Sequence, residues 1–114
     1  MINYDGKVFR SIENTSNGEV SGETRFNYRQ SGNLVRAEYS GGSIVFGSLI
    51  AKVGERGELD MRYQHLNTAG ELMTGTCVST PELLPDGRIR LNERWRWTSG
   101  DGSEGVSVVE EEIT

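Results

Sequence analysis

Turn-forming residues divide the chain into eight short extended runs at regular spacing, and this spacing restricts the fold more than any other feature. The segments between the runs contain glycine and asparagine, which supply the positive φ values that hairpin turns need. No window shows the periodicity of a helix. The predicted strands are residues 7–14, 22–30, 34–40, 43–53, 58–67, 71–79, 88–98 and 105–112, with a tight turn at 16–18 and one longer connection at 80–87.

Apolar and polar side chains alternate along these runs, which is typical of strands with one buried and one solvated face. In the fifth run the predicted inner face carries Leu59, Met61, Tyr63 and His65. In the seventh run the inner face carries Ile89, Leu91, Glu93, Trp95 and Trp97, and the outer face carries Arg88, Arg90, Arg94 and Arg96. The pattern recurs at Phe26 and Tyr28 and at Val35, Ala37 and Tyr39.

Eight strands with one buried face each can close into a barrel or split into two packed sheets. Closure removes the exposed strand edges that promote aggregation, and short connections between neighbours favour an up-and-down order. A sandwich needs at least one long crossing connection, for which only residues 80–87 are a candidate. We therefore predict an all-β, eight-stranded antiparallel barrel formed by residues 1–114 as a single domain, with a β-sandwich as the alternative.

Composition excludes several classes of function. The formal net charge of −5 repels phosphate backbones and anionic lipids, so neither nucleic acid nor a membrane is an expected partner. One cysteine and one histidine cannot supply the four ligands of a structural zinc site. The first residues show neither a basic nor a long apolar segment, and the expected location is the cytoplasm.

Polar residues on predicted inner faces are the most informative candidates for function. Glu93 lies in phase with the two tryptophans, and His65 lies in phase with Met61 and Tyr63. An eight-stranded barrel can hold one small ligand, and aromatic walls with a few polar groups are typical of such pockets. The predicted ligand-binding residues are Tyr28, Tyr39, Tyr63, His65, Glu93, Trp95 and Trp97. The predicted ligand is a small apolar or amphipathic molecule.

Other interpretations of the same residues stay open. A bulge or a position at the barrel end could turn Glu93 outward, and His65 lies close to the predicted turn at Thr68, where strands are usually solvated. His65 oriented by Glu93 could act as a general base in an enzyme. A third alternative is an interaction domain without a pocket, including a homodimer. Cys77, between Thr76 and Val78, is interpreted as a small core residue.

Two motifs receive structural explanations. Residues 100–105 match G-x-G-x-x-G, but a strand-like segment follows instead of the helix that a dinucleotide site requires, so they are interpreted as a hairpin loop and no cofactor is expected. The outer arginines of the seventh run face a strand that ends in glutamates 110–112. Antiparallel pairing therefore predicts ion pairs with Arg88 and Arg90.

Several segments together resemble a family of small bacterial proteins that is similar in size and pattern to calycin-like or avidin-like barrels. These segments are residues 1–7, 9–11, 39–42, 59–63, 70–75, 87–91 and 95–101. Some members are labelled N-acetylglutamate synthase. An acetyltransferase of that type is an α/β protein that holds acetyl-CoA on a [Gln/Arg]-x-x-Gly-x-[Gly/Ala] loop. This chain lacks the motif, since Arg29 is followed by Gly32 but then by Leu34.

Overall fold

A computed structural model describes residues 2–113 as eight antiparallel strands, each hydrogen-bonded to the next. The first strand also pairs with the last, from Phe9 opposite Glu111 to Asn14 opposite Ser107, and this pairing closes the barrel. The predicted closed up-and-down barrel is confirmed, and the sandwich alternative is wrong. The strands are β1 (Val8–Asn14), β2 (Arg25–Ser31), β3 (Leu34–Gly41), β4 (Ile44–Val53), β5 (Leu59–Asn67), β6 (Leu72–Leu83), β7 (Ile89–Trp97) and β8 (Glu104–Glu111).

Alternation along each strand sorts side chains between the barrel interior and the outer wall. In β3, Val35, Ala37 and Tyr39 are buried while the residues between them are exposed. Tight turns with glycine at positive φ, such as Gly32 at 60° and Gly42 at 63°, join β2 to β3 and β3 to β4. These turns hold neighbouring strands in register, so the interior faces of all eight strands line one central space.

Apolar side chains fill one end of this space. The fully buried residues there are Tyr4, Phe9, Tyr28, Val35, Leu59, Leu91 and Val109. The Phe9 and Tyr28 rings lie 4.7 Å apart between centroids, and Tyr4 packs beside both. The Tyr4 hydroxyl donates to the carbonyl of Gly57, which ties the segment before β1 across this end. We call it the closed end, and the opposite end the mouth.

The connection between β1 and β2 differs from the predicted tight turn. It runs through residues 15–24, and β2 begins at Arg25 rather than at Gly22. The segment before β2 is a turn instead of a strand, because the Thr24 amide donates to the Ser21 carbonyl and the Ser21 amide donates to the Thr24 hydroxyl. The connection is therefore long enough to fold across the mouth of the barrel.

The predicted connection at 80–87 is also wrong in its extent. β6 continues to Leu83, with Pro81 paired to Leu91 of β7. Proline cannot donate a backbone hydrogen bond and is tolerated where a strand has a free edge. The pairing of β6 with β5 ends at Ser79 opposite Leu59, so residues beyond Ser79 form ladder pairs with β7 alone. Pro81 therefore extends the strand where sequence reasoning expected a break.

On the outer wall, the arginine row of β7 meets glutamates of β8 as predicted. Arg90 Nη2 lies 2.6 Å from Glu110 Oε2, and Arg88 Nη1 lies 3.5 Å from Glu110 Oε1. Arg96 Nε lies 3.5 Å from Glu104 Oε1. Three of the four arginines in this row therefore have a glutamate partner on β8. Within residues 2–113 there is no helix with the length and apolar character needed to cross a membrane.

Candidate functional site

A cavity of about 50 Å³ lies inside the barrel between the filled closed end and the mouth. Its walls include all seven residues predicted to bind a ligand, namely Tyr28, Tyr39, Tyr63, His65, Glu93, Trp95 and Trp97. The structure thus brings the seven together on one surface, while their role in binding stays a prediction. A water needs roughly 10–15 Å³, so this space holds a few waters or a small organic group.

Glycines within the strands determine where the aromatic rings of the cavity lie. Gly47 stands between Tyr39 and His65 in one row of the sheet, and its missing side chain leaves space that the Tyr39 ring occupies. Gly75 stands in the same way between Tyr63 and Trp97. A Cβ added to either glycine would lie within 2.4 Å of the neighbouring tyrosine ring. The rings of Tyr39 and Tyr63 therefore lie against the barrel wall over Gly47 and Gly75.

Glu93 of β7 points into the cavity, as its phase with the tryptophans predicts. Its neighbours across the two ladders are Ser79 of β6 and Ser107 of β8. The Ser79 hydroxyl donates to Glu93 Oε2 at 2.5 Å, and the Ser107 hydroxyl donates to Oε1 at 3.1 Å. Each carboxylate oxygen thus has a hydroxyl donor, and neither has a cationic partner among residues 2–113.

Burial raises the pKa of Glu93 above its ordinary value, and the hydrogen bonds from Ser79 and Ser107 oppose that rise. A buried carboxylate loses hydration that two neutral hydroxyls replace only in part. Burial likewise raises the pKa values of Tyr28, Tyr39, Tyr63 and Cys77, so these groups stay neutral around pH 7. The protonation state of Glu93 therefore depends on the charge and hydrogen-bonding groups of any molecule in the cavity.

This pKa shift predicts a pH-dependent gain in stability for Glu93→Gln. Above pH 4.5, the ordinary pKa of a glutamate side chain, the native state retains the Glu93 proton more strongly than the unfolded state does. The unfolded state binds fewer protons in that range, so wild-type stability falls as pH rises through it. Glutamine does not titrate, and we expect the variant to exceed wild type by roughly 1 kcal/mol at pH 8 and to lose this advantage near pH 4.

Urea denaturation of both proteins from pH 4 to pH 8 measures this difference. Glu104→Gln is the matched control, since the Glu104 side chain is 70% exposed on the outer wall. An exposed pair contributes little, so the control should follow wild type within about 0.5 kcal/mol. A Glu93→Gln advantage that is the same at pH 4 and pH 8 would contradict the predicted shift.

His65 lies at the mouth with both ring nitrogens occupied. Nδ1 is 2.9 Å from the Tyr39 hydroxyl, which reaches His65 across Gly47, and Nε2 is 2.8 Å from Glu19 Oε1. The Asn67 amide donates to both oxygens of Glu19, at 3.1 and 3.3 Å. His65 is only 3% exposed. The alternative that His65 is solvated because it lies close to the turn at Thr68 is therefore wrong.

The β1–β2 connection covers the mouth through contacts with the tryptophans as well. Trp97 Nε1 donates to the Asn17 carbonyl at 3.0 Å, and Trp95 Nε1 donates to Asn14 Oδ1 at 3.1 Å. The Asn14 amide in turn donates to the Val20 carbonyl. The indole N–H of Trp95 is therefore satisfied by Asn14 at the end of β1 and that of Trp97 by the covering segment, and both indoles line the cavity.

Sequence reasoning missed several residues of the site. Ser79 and Ser107 lie in phase with Cys77 and Val109, so alternation could have placed them inside. Glu19 gave no such signal, because it belongs to a connection without period-two alternation and reaches His65 through the tertiary fold. The other wall residues not predicted are Asn14, Gly18, Val20, Phe26, Leu49, Met61, Cys77 and Val109.

The structure does not bring Glu93 into contact with His65, the pair considered above as an alternative for general-base catalysis. Glu93 is hydrogen-bonded to Ser79 and Ser107, whereas His65 is hydrogen-bonded to Tyr39 and Glu19, so Glu93 does not orient the imidazole. Burial also raises the pKa of the Cys77 thiol, which disfavours a nucleophilic thiolate. Among residues 2–113 no three histidine, cysteine, aspartate or glutamate side chains are grouped to hold a metal ion.

Comparison with known proteins agrees with this geometry. A family model described as Avidin-like protein matches residues 2–112. This match confirms the resemblance to avidin-like barrels, and its description does not carry the N-acetylglutamate synthase label. A comparison with curated proteins gives no match.

Proposed function

The chain belongs to the Avidin-like protein family, and on this premise we propose that it binds one small molecule inside the barrel. Barrels of eight strands are wide enough either to fill with side chains or to hold one small ligand, as streptavidin does. Here the closed end is filled, but the space below the mouth is a cavity of about 50 Å³. The proposal rests on this division of the interior.

The chemistry of the cavity wall supports binding more than simple core packing. Two carboxylates, an imidazole and three tyrosines face the same space as the two indoles. Burying these polar groups costs free energy that an apolar core of similar size would not, unless hydrogen bonds offset the cost. A few convergent polar groups on an aromatic wall are the usual composition of small-molecule sites.

Each part of the wall has a distinct role in the proposed complex. Trp95, Trp97 and Tyr63 supply apolar surface, with the two indole centroids 5.4 Å apart. Glu93 accepts hydrogen bonds from the ligand at depth. Glu19, held by His65, closes the mouth, and its side chain is 24% exposed.

Intrinsic fluorescence tests the proposal directly, because both tryptophans of the chain line the cavity. We expect at least one member of a panel of neutral, anionic and cationic metabolites to change the emission and raise the midpoint of thermal unfolding. At a concentration about 100-fold above the dissociation constant, binding should add about 2.7 kcal/mol to the free energy of unfolding.

A pair of variants distinguishes the cavity from the outer surface. Met61→Phe adds volume at a residue of the cavity wall that is 3% exposed, and we expect it to abolish the response. Leu72→Phe makes a comparable change at a residue that is 78% exposed, and it should respond like wild type. The proposal is wrong if no panel member alters the emission, or if Met61→Phe binds as well as Leu72→Phe.

Among residues 2–113, no arrangement of side chains described above favours the enzymatic alternative. An interaction domain without a pocket would not need the polar groups in the cavity. Residence in the cytoplasm and association into a homodimer stay predictions from the sequence.

A further inference from the structure

We propose that the cavity is selective for small organic cations, protonated amidines, guanidines or amines, with Glu93 as their counter-ion. This inference rests on the proposed function, because it assigns a chemical class to the ligand of the same site. It goes further in predicting that charge, rather than apolar surface, decides which molecules bind.

The balance of charge inside the barrel is the first argument. Within the part of the chain that the structure describes, the cavity wall contains two carboxylates, Glu93 and Glu19, and no lysine or arginine. Glu19 has partners in His65 and Asn67 at the mouth, whereas the described side chains that donate to Glu93, Ser79 and Ser107, are neutral. A buried carboxylate is stabilised by an opposite charge, and no described residue of the cavity wall supplies one at Glu93. A cationic ligand would supply it.

The hydrogen-bond directions around Glu93 are the second argument. Ser79 and Ser107 both donate, one to each oxygen, so the pocket is arranged for a carboxylate that accepts. Each carboxylate oxygen can accept a further hydrogen bond. The N–H groups of an amidinium or guanidinium donate in a planar fork that fits two carboxylate oxygens. An anionic ligand would instead be repelled by Glu93 and Glu19.

The aromatic wall is the third argument. Tyr63 lies 5.8 Å from Trp97 between ring centroids, and Trp97 lies 5.4 Å from Trp95. Cations are attracted to the faces of aromatic rings, most strongly to tryptophan and when water is excluded. A compact cation held at Glu93 lies in the same cavity as these rings, so the carboxylate and the rings favour the same class of ligand.

Three nearly isosteric probes test the inference: acetamidinium, acetamide and acetate. They share a planar shape and four heavy atoms, and differ in charge. We expect acetamidinium to change tryptophan emission with a dissociation constant at least about tenfold lower than that of acetamide, and acetate to bind more weakly still. Because so small a ligand has a limited total affinity, titrations extend into the millimolar range.

Variants of Glu93 and Glu104 show which negative charge attracts the cation. Glu93→Gln should weaken acetamidinium binding at least about tenfold, and it should weaken acetamide binding, which loses a hydrogen bond but no charge pair, by a clearly smaller factor. Glu104→Gln removes one negative charge from the outer wall, where that side chain is 70% exposed, and should not alter acetamidinium binding. Equal losses in both variants would show attraction to the net charge of the protein and would overturn the inference.

A pH titration of the wild-type protein keeps the test valid if Glu93→Gln fails to fold. Acetamidinium stays charged from pH 5 to pH 8, so its affinity should rise with pH as Glu93 loses its proton, while the affinity of acetamide stays flat. The ionisable groups facing the cavity besides Glu93 are Glu19, His65, Cys77 and the three tyrosines. Disappearance of the pH dependence in a folded Glu93→Gln variant assigns it to Glu93.

The outcomes separate this inference from the proposed function. If acetamide or acetate binds as tightly as acetamidinium, or if none of the three binds while another neutral or anionic metabolite does, the cation inference is overturned and small-molecule binding stands. If no probe and no metabolite alters the emission, both fail.

Discussion

Phe9→Ala will lower the free energy of unfolding by about 3–5 kcal/mol, the usual cost of removing a fully buried aromatic side chain. Phe9 is 0% exposed, and its ring packs against Tyr4 and Tyr28 at the closed end. The filled closed end has little freedom to collapse around the missing ring, so the cost includes a cavity as well as lost burial. Urea denaturation followed by circular dichroism measures the change.

Leu83→Ala is the control for this substitution. Leu83 lies at the end of β6 on the same side of the barrel and is 63% exposed, so its removal should change stability by less than about 0.5 kcal/mol. A Phe9→Ala protein that loses less than about 1 kcal/mol would show that the closed end is loosely packed, contrary to the structure.

Gly47→Ala is expected to destabilise the protein by about 1–3 kcal/mol and to disturb the site. An added Cβ would lie 2.4 Å from Cζ of Tyr39 and 2.7 Å from Cβ of His65, far inside van der Waals contact. Tyr39 would have to swing into the cavity, which would break its hydrogen bond to His65. Thermal unfolding gives the stability change, and the fluorescence titration gives the loss of ligand response.

Two controls isolate the clash at Gly47. Gly22→Ala adds a methyl group that meets only the Ser11 carbonyl at 3.7 Å, and it should be nearly neutral. In a Tyr39→Ala background the cost of Gly47→Ala should fall, because the ring that it displaces is absent. If the cost is the same with and without the Tyr39 ring, then the glycine is required for a reason other than the space it leaves.

Strand β7 shows how far alternation along a strand predicts the cavity wall. Period-two alternation alone assigned Glu93 to the same face as Trp95 and Trp97, and the structure places all three on the cavity wall. Alternation is a local property of extended chain, so it is visible without knowledge of the fold. The same reasoning failed at Pro81, since it could not show that β6 lacks a neighbour on one side at that point.

The partners of each inward side chain are set by strand register, which joins residues far apart in the chain. Register places Ser79 and Ser107 on either side of Glu93, and Gly47 between Tyr39 and His65. Alternation gives the direction of a side chain but not the residue opposite it, so these rows could not be predicted from the sequence.

Turn residues and alternation along the chain are enough to predict eight strands, the inward side of most of them, and a carboxylate among the tryptophans. The filling of the barrel at one end, the hollow near the other and the contact of Glu19 with His65 across the mouth are visible only in the folded barrel. Local periodicity follows from the geometry of a single strand, whereas the shape of an interior depends on how all eight strands close around it.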